Sequence, residues 1–160
     1  MAWEAIPKPA SFRVGPYLED YQAVRARFSW AGARREFLGE PRAAGWNVAD
    51  LAVDRHAEGP LAEKTALRWL ARDGGRRDVS YRELRGLTNR FANVLRSLGV
   101  EKGERVFGLT GRIPEHHVAA LGTLKNASVF CPVFSAFGPE PLAQRLGRGG
   151  AKVLVTTRRL

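Results

Sequence analysis

Ser80 opens the segment that most constrains what this chain can fold into. Ser80 and Glu83 form an S-x-x-E capping box, in which each side chain satisfies a backbone N–H that a helix start leaves unpaired. Leu84, Leu87, Phe91, Val94, Leu95 and Leu98 follow at helical spacing. Gly99 ends the helix, because a residue without Cβ enters the left-handed conformation cheaply, and Val100 is placed for the apolar contact of a Schellman ending. After the turn at residues 101–104, Val106, Phe107, Gly108 and Leu109 predict a short buried strand within residues 105–110. Pro114 suits the first turn of the next helix, and Glu115 complements its positive end. Val118, Leu121 and Leu124 supply that helix's core face, and Asn126 stands where a left-handed cap is expected.

The same alternation continues to the end of the sequence. Residues 128–134 (SVFCPVF) form the near-continuous apolar run of a strand covered on both faces, although Pro132 cannot donate to a ladder. A helix over residues 139–146, a glycine-rich connector over residues 147–150 and a strand over residues 152–156 complete the series. Strands alternating with helices predict right-handed crossovers and a mostly parallel α/β sheet of Rossmann-like units.

Upstream the signals thin out. Asn47 predicts an N-cap for a helix through His56, with Val48, Leu51 and Ala52 as its apolar face. Residues 65–71 (TALRWLA) read as a strand, Asp73-Gly74-Gly75 as a turn, and residues 77–79 as the returning strand of a hairpin. Residues 1–45 hold Pro7, Pro9, Pro16 and Pro41, four of the nine prolines, and read as an irregular lead-in with one short helix over residues 17–28. That helix would carry Tyr17, Leu18, Tyr21 and Val24 on one side. Trp3, Phe12, Phe28, Trp30 and Trp46 would pin the lead-in onto a neighbouring domain. Residues 46–160 are then the domain proper.

Composition excludes several classes of function. No apolar run approaches the roughly 18 residues that span a membrane, and Glu4, Pro7 and Pro9 interrupt the N-terminus where a signal peptide needs an unbroken apolar stretch. A cytoplasmic protein that binds no membrane is the expectation. Cys131 is the only cysteine, so there is neither an intrachain disulfide nor a thiolate metal cluster, and its apolar setting predicts a buried, inert thiol. The formal net charge of +10 raises the possibility of a stand-alone basic module for nucleic acid or nucleotides. The arginines are spread along the chain, however, without a basic stripe interleaved with aromatics, which favours a solvated surface and no nucleic-acid partner.

Candidates for chemistry are few. His116 and His117 are adjacent on a helix, point about 100° apart and cannot share a metal as i, i+4 ligands do; both read as surface histidines. His56 has Asp54 and Glu58 near it but no nucleophile, and reads as structural. Gly147-Arg148-Gly149-Gly150 lies between a helix and a strand, whereas a phosphate loop needs a helix N-terminus after its glycines. No catalytic residue and no metal ligand emerges from the residues themselves.

Several segments carry a resemblance. They are Asn47 with Asp54-Arg55-His56-Ala57; Val79-Ser80-Tyr81-Arg82-Glu83-Leu84; Asn89 with Leu98-Gly99-Val100-Glu101-Lys102-Gly103-Glu104-Arg105-Val106; and Ile113-Pro114-Glu115. The run LGTLKNASVFCPVFSAFGPE from Leu121 to Glu140 and Ala151-Lys152-Val153-Leu154-Val155-Thr156-Thr157 complete them. Over residues 17–160 the chain resembles the AMP-forming acyl-CoA synthetases, and the acetyl-CoA synthetase branch in particular. The resemblance implies the N-terminal part of the large domain of an adenylate-forming enzyme, with residues 46–160 an incomplete first portion and the remainder of the enzyme as its partner. It implies a ligase that takes a small-molecule carboxylate, ATP, CoA and Mg²⁺, forms an acyl-adenylate and transfers the acyl group to CoA. A longer fatty acid or an aryl acid as substrate stays open. The family's Ser/Thr/Gly-rich loop ending in Pro-Lys, its Tyr-Gly-x-Thr-Glu element, its ribose-binding Asp and its late Lys are not found in these 160 residues, so no catalytic residue carries over and the chain alone is expected to be inactive. One site does carry over: Phe134, Ser135 and Ala136 match a Phe-Gly-Gly segment that lies by the CoA nucleotide.

Overall fold

The computed structural model describes Leu18, residues 20–39 and residues 45–158. They belong to two compact units, Met1–Pro41 and Arg42–Leu160.

The first unit is more regular than its sequence suggests. Helix α1 (Tyr21–Arg27) starts at Asp20, whose Oδ1 accepts the Ala23 N–H at 2.9 Å. Helix α2 (Trp30–Leu38), which the periodicity did not reveal, is capped in the same way by Ser29, whose hydroxyl accepts from Gly32 N–H at 3.0 Å. Phe28 and Trp30 meet edge to face, 5.1 Å between centroids. Both are exposed, as are Leu18 and Tyr21 from the expected apolar side. Tyr17, Trp3 and Phe12 lie outside the described residues.

The second unit begins with a helical segment whose middle, Asp50–Asp54, is π-helical, running into the short helix α3 (Arg55–Ala57). Asn47 caps it as expected: its Oδ1 accepts Ala49 N–H at 2.9 Å, and its carbonyl accepts from Leu51 N–H. The buried face is not the expected one. Ala49, Val53 and Ala57 are buried, while Val48 and Ala52 are exposed and Leu51 is half-buried. A spacing of four residues drifts about 40° per step round an α-helix. The wider i→i+5 turn, seen in the hydrogen bond from Arg55 N–H to the Asp50 carbonyl, takes up that drift.

Strands β1 (Thr65–Leu70) and β2 (Arg76–Ser80) form the expected antiparallel hairpin, with Trp69 opposite Arg77. Helix α4 (Tyr81–Ser97) has both halves of the capping box, Ser80 Oγ accepting from Glu83 N–H at 3.2 Å and Glu83 Oε2 from Ser80 N–H at 2.9 Å. It ends in a full Schellman motif: Gly99 N–H donates to Arg96 O, Val100 N–H to Leu95 O, and Gly99 takes φ 69°. Leu84 and Leu95 are buried as the pattern predicts, whereas Val94 and Leu98 are exposed.

Strands β3 (Arg105–Leu109), β4 (Val129–Pro132) and β5 (Ala151–Thr156) form one parallel sheet in the order β4-β3-β5. Helix α5 (Pro114–Lys125) links β3 to β4, and α6 (Pro139–Gly149) carries the chain past β3 to β5. Alternate side chains leave β3 on opposite faces. Val106, with Val153 and Val155, packs against Leu95, Phe91 and Val100 on the α4 side; Phe107 and Leu109, with Cys131, pack against Leu142 and Leu146 of α6. α4 and α5 approach closely at Gly122, where a Cβ would stand 2.9 Å from the Thr88 carbonyl oxygen.

Three expectations fail in this region. Residues 128–134 are not a strand covered on both faces: β4 is an edge strand of the described sheet, with Val129 and Phe134 exposed and Cys131 only half-buried. Pro132 is tolerated because it ends that edge. Asn126 is not the left-handed residue; Ala127 is, at φ 57°. Asn126 instead stays half-helical, its side-chain amide donating to Val100 O (2.9 Å) and Ser128 Oγ (3.0 Å). Finally, α6 runs three residues beyond Leu146 and absorbs most of the glycine connector, leaving Gly150 as its left-handed cap.

Candidate functional site

Open parallel sheets hold ligands beyond the carboxyl ends of their strands. In this chain the loop after β3 and the loop after β4 meet the hairpin there and enclose a cleft of 440 Å³. Its lining includes Trp69 of β1, the stretch from Thr110 to Pro114, His116 and His117 of α5, and Val133, Phe134 and Ser135 after β4. Four basic side chains (Arg68, Arg112, His116 and His117) line it, and no carboxylate does.

Local chemistry builds each wall. Val133 N–H donates to Gly108 O at 2.8 Å, so β4 leaves the sheet directly over the end of β3. Phe134 and Phe137 then close a tight turn, Phe137 N–H donating to Phe134 O at 3.1 Å and the rings meeting edge to face at 5.8 Å. Ser135 and Ala136 occupy its centre, neither in the left-handed region. Nothing in this backbone demands the glycines of the matching Phe-Gly-Gly pattern. Phe134 and Ser135 therefore line the cleft, while Ala136 sits in the turn beside it.

On the opposite wall, Trp69 Nε1–H donates to the Arg112 carbonyl at 2.7 Å. Thr110 Oγ1 and His116 Nδ1 lie 2.7 Å apart in a second hydrogen bond, and the His116 ring meets Phe130 edge to face at 5.4 Å. His116 is thus half-buried rather than a surface histidine, as His117 is. Burial, reinforced by the neighbouring His117, pushes the His116 pKa below the usual histidine value. Arg68 is engaged by Asp78 through two hydrogen bonds (2.7 and 3.1 Å). Arg68 and Arg76 together hold the Asp78 carboxyl well below the usual carboxylate range.

The remaining sequence candidates fall elsewhere. Asp54 pairs with Lys125 (2.5 Å) and Glu58 with Arg85 (2.8 Å), so neither serves His56, which packs on Tyr81 at 5.0 Å. Among the described residues no three His, Cys, Asp or Glu side chains gather to hold a metal ion. Of the cleft residues, Phe134 and Ser135 stood out in the sequence as a ligand segment, while His116 and His117 were singled out but read as surface histidines. The loop from Thr110 to Ile113 had a signal that went unused, its place between a parallel strand and the next helix. Trp69 had none, because only the folded hairpin brings it there.

An open parallel sheet with a basic cleft at its carboxyl edge defines the class structurally, and comparison with known proteins narrows it. Residues 53–160 match the family of AMP-binding enzymes. The chain is 34% identical over 149 residues to the acetyl-coenzyme A synthetase of Gemmatimonas aurantiaca, a match covering 89% of this chain and 22% of that protein. It is 38% identical over 122 residues to the 3-hydroxypropionyl-coenzyme A synthetase of Metallosphaera sedula, covering 76% and 18%. Among solved structures, the Brucella canis acyl-CoA synthetase superposes with a TM-score of 0.75 at 33% identity, over 85% of this chain and 24% of that one. A benzoate CoA ligase from Burkholderia xenovorans superposes at 0.60 and 25% identity, over 69% and 21%. The chain belongs to the AMP-binding, adenylate-forming enzymes. It spans only about a fifth of the length of these curated relatives.

Proposed function

We propose that this chain is the N-terminal part of an AMP-forming ligase that joins acetate or another short-chain acid to CoA, with residues 46–160 forming the first portion of its large domain. The observation that carries the reading is the cleft beyond β3 and β4, basic, free of carboxylates, and lined by Phe134 and Ser135, which match the family segment beside CoA. Its two aromatic side chains, Trp69 and Phe134, suit a nucleobase, and its Arg112 guanidinium suits a phosphate. The acetyl- and 3-hydroxypropionyl-CoA synthetases among the relatives favour a short acid over an aryl or long-chain one.

In that reaction the acid's carboxylate attacks the α-phosphorus of ATP, releasing pyrophosphate and leaving an acyl-adenylate. The thiol sulfur of CoA then attacks the acyl carbon, loses its proton, and expels AMP. Residues of this chain bind and orient CoA; positioning of this kind accounts for much of the barrier lowering in a bimolecular transfer. The described residues do not fit Mg²⁺ as a ligand set, and no step here runs through it. Among the described residues no helix is long and apolar enough to cross a membrane.

The test is acid-dependent exchange of pyrophosphate into ATP by the complete gene product, across acetate, propionate, 3-hydroxypropionate, benzoate and a long-chain fatty acid. Fastest exchange with a short acid supports the reading. Preference for benzoate or the fatty acid replaces the substrate, and no exchange with any acid removes the ligase assignment.

A further inference from the structure

Of the four basic side chains in the cleft, three are already engaged. Arg68 is held by Asp78, His116 is bonded to Thr110, and His117 stands edge-on to His116 at 5.9 Å. The exposed Arg112 guanidinium makes no ion pair or hydrogen bond among the described residues. Its backbone, by contrast, is fixed. Trp69 Nε1–H holds the Arg112 carbonyl from the hairpin side, and the Thr110–His116 bond holds the loop's first residue from the α5 side. Ile113 N–H donates back to Gly111 O at 3.0 Å, closing the loop between the two anchors.

This is a guanidinium without a partner among the described residues, on a loop anchored at two points, in a cleft whose described lining holds no carboxylate. A guanidinium presents a planar fork of donors that matches phosphate oxygens, and anchoring its backbone in advance removes ordering cost from binding. We propose that Arg112 binds a phosphate of the nucleotide-bearing thiol substrate, and that Trp69 and His116 are positioning residues that hold the Arg112 loop in place. The inference rests on the CoA-ligase reading for the identity of that substrate.

The test is equilibrium binding of CoA and of pantetheine, its phosphate-free thiol portion, to the complete gene product and its variants. Arg112→Ala is expected to weaken CoA about tenfold or more, the scale of a lost charge-assisted hydrogen bond, while pantetheine is unaffected. Arg112→Lys, a point charge without the fork, falls between. Trp69→Phe keeps an aromatic face, smaller than the indole, but loses the N–H that holds the Arg112 carbonyl, and is expected to weaken CoA about three- to fivefold, again without touching pantetheine. A purely structural role would weaken both ligands together, and that result overturns the inference. So does an Arg112→Ala affinity for CoA within about twofold of wild type, or a wild-type protein that binds no CoA. The ligase assignment is judged separately, because pyrophosphate exchange needs no CoA.

Discussion

His116 shows how one side chain is tuned by its place. Its ring lies half-buried against Phe130, and burial, more than the neighbouring His117, favours the neutral form. The folded-state pKa is therefore below the ordinary value of about 6.5. As pH falls, the unfolded chain takes up this proton first, so stability drops below about pH 6.5 and levels off once the folded form is protonated as well. Titration of the ring by NMR is expected to give a midpoint under about 6.5, and His116→Asn should flatten the acid side of the stability curve between neutrality and that midpoint. A midpoint at or above the ordinary value would contradict the burial account. The same scale explains Gly122: adding a Cβ there would press on the Thr88 carbonyl, part of the neighbouring helix backbone, which cannot swing aside as a side chain would.

At the scale of elements, α4 is the organising piece. Its cap, its Schellman ending and its buried residues Leu84, Thr88, Ala92 and Leu95 agree with one another. That consistency is why its limits were readable from residues 80–100 alone. Ser80→Ala removes the hydroxyl that accepts Glu83 N–H and is expected to cost about 1 kcal/mol, read as a lower denaturation midpoint at unchanged slope. Ser80→Asp, which restores an acceptor, should recover most of it; equal losses in both variants would argue against capping as the cause. The π-helical turn before α3 is the opposite case. It is held from outside, by the Lys125–Asp54 pair and by Asn47 Nδ2 donating to the Leu124 carbonyl at 2.7 Å. Both link it to the end of α5, more than 70 residues away in sequence, which is why local periodicity assigned the wrong buried face.

For the molecule as a whole, the sheet in hand is three strands wide, and both β4 and β5 have an unpaired side among the described residues. Open edges of this kind pair readily with other chains. Produced alone, the 160-residue chain is expected to self-associate in light scattering and to release no pyrophosphate with ATP and any acid, since the family's phosphate loop and late lysine are not within it. A monodisperse, cooperatively melting and catalytically active preparation would refute that expectation.

The sequence by itself determined the units that rest on near neighbours: the capped helix from Ser80, the hairpin around Asp73-Gly74-Gly75, the alternation that makes a parallel sheet, and the family signature within them. Capping, turn chemistry and apolar period are short-range forces, visible within a dozen residues. Only the tertiary structure decided that β4 lies at an edge of the described sheet, that Ala127 and not Asn126 takes the left-handed conformation, and that Trp69 reaches across from the hairpin to the Arg112 loop. Each depends on which distant surface arrives opposite, and the energy of that contact belongs to neither segment alone.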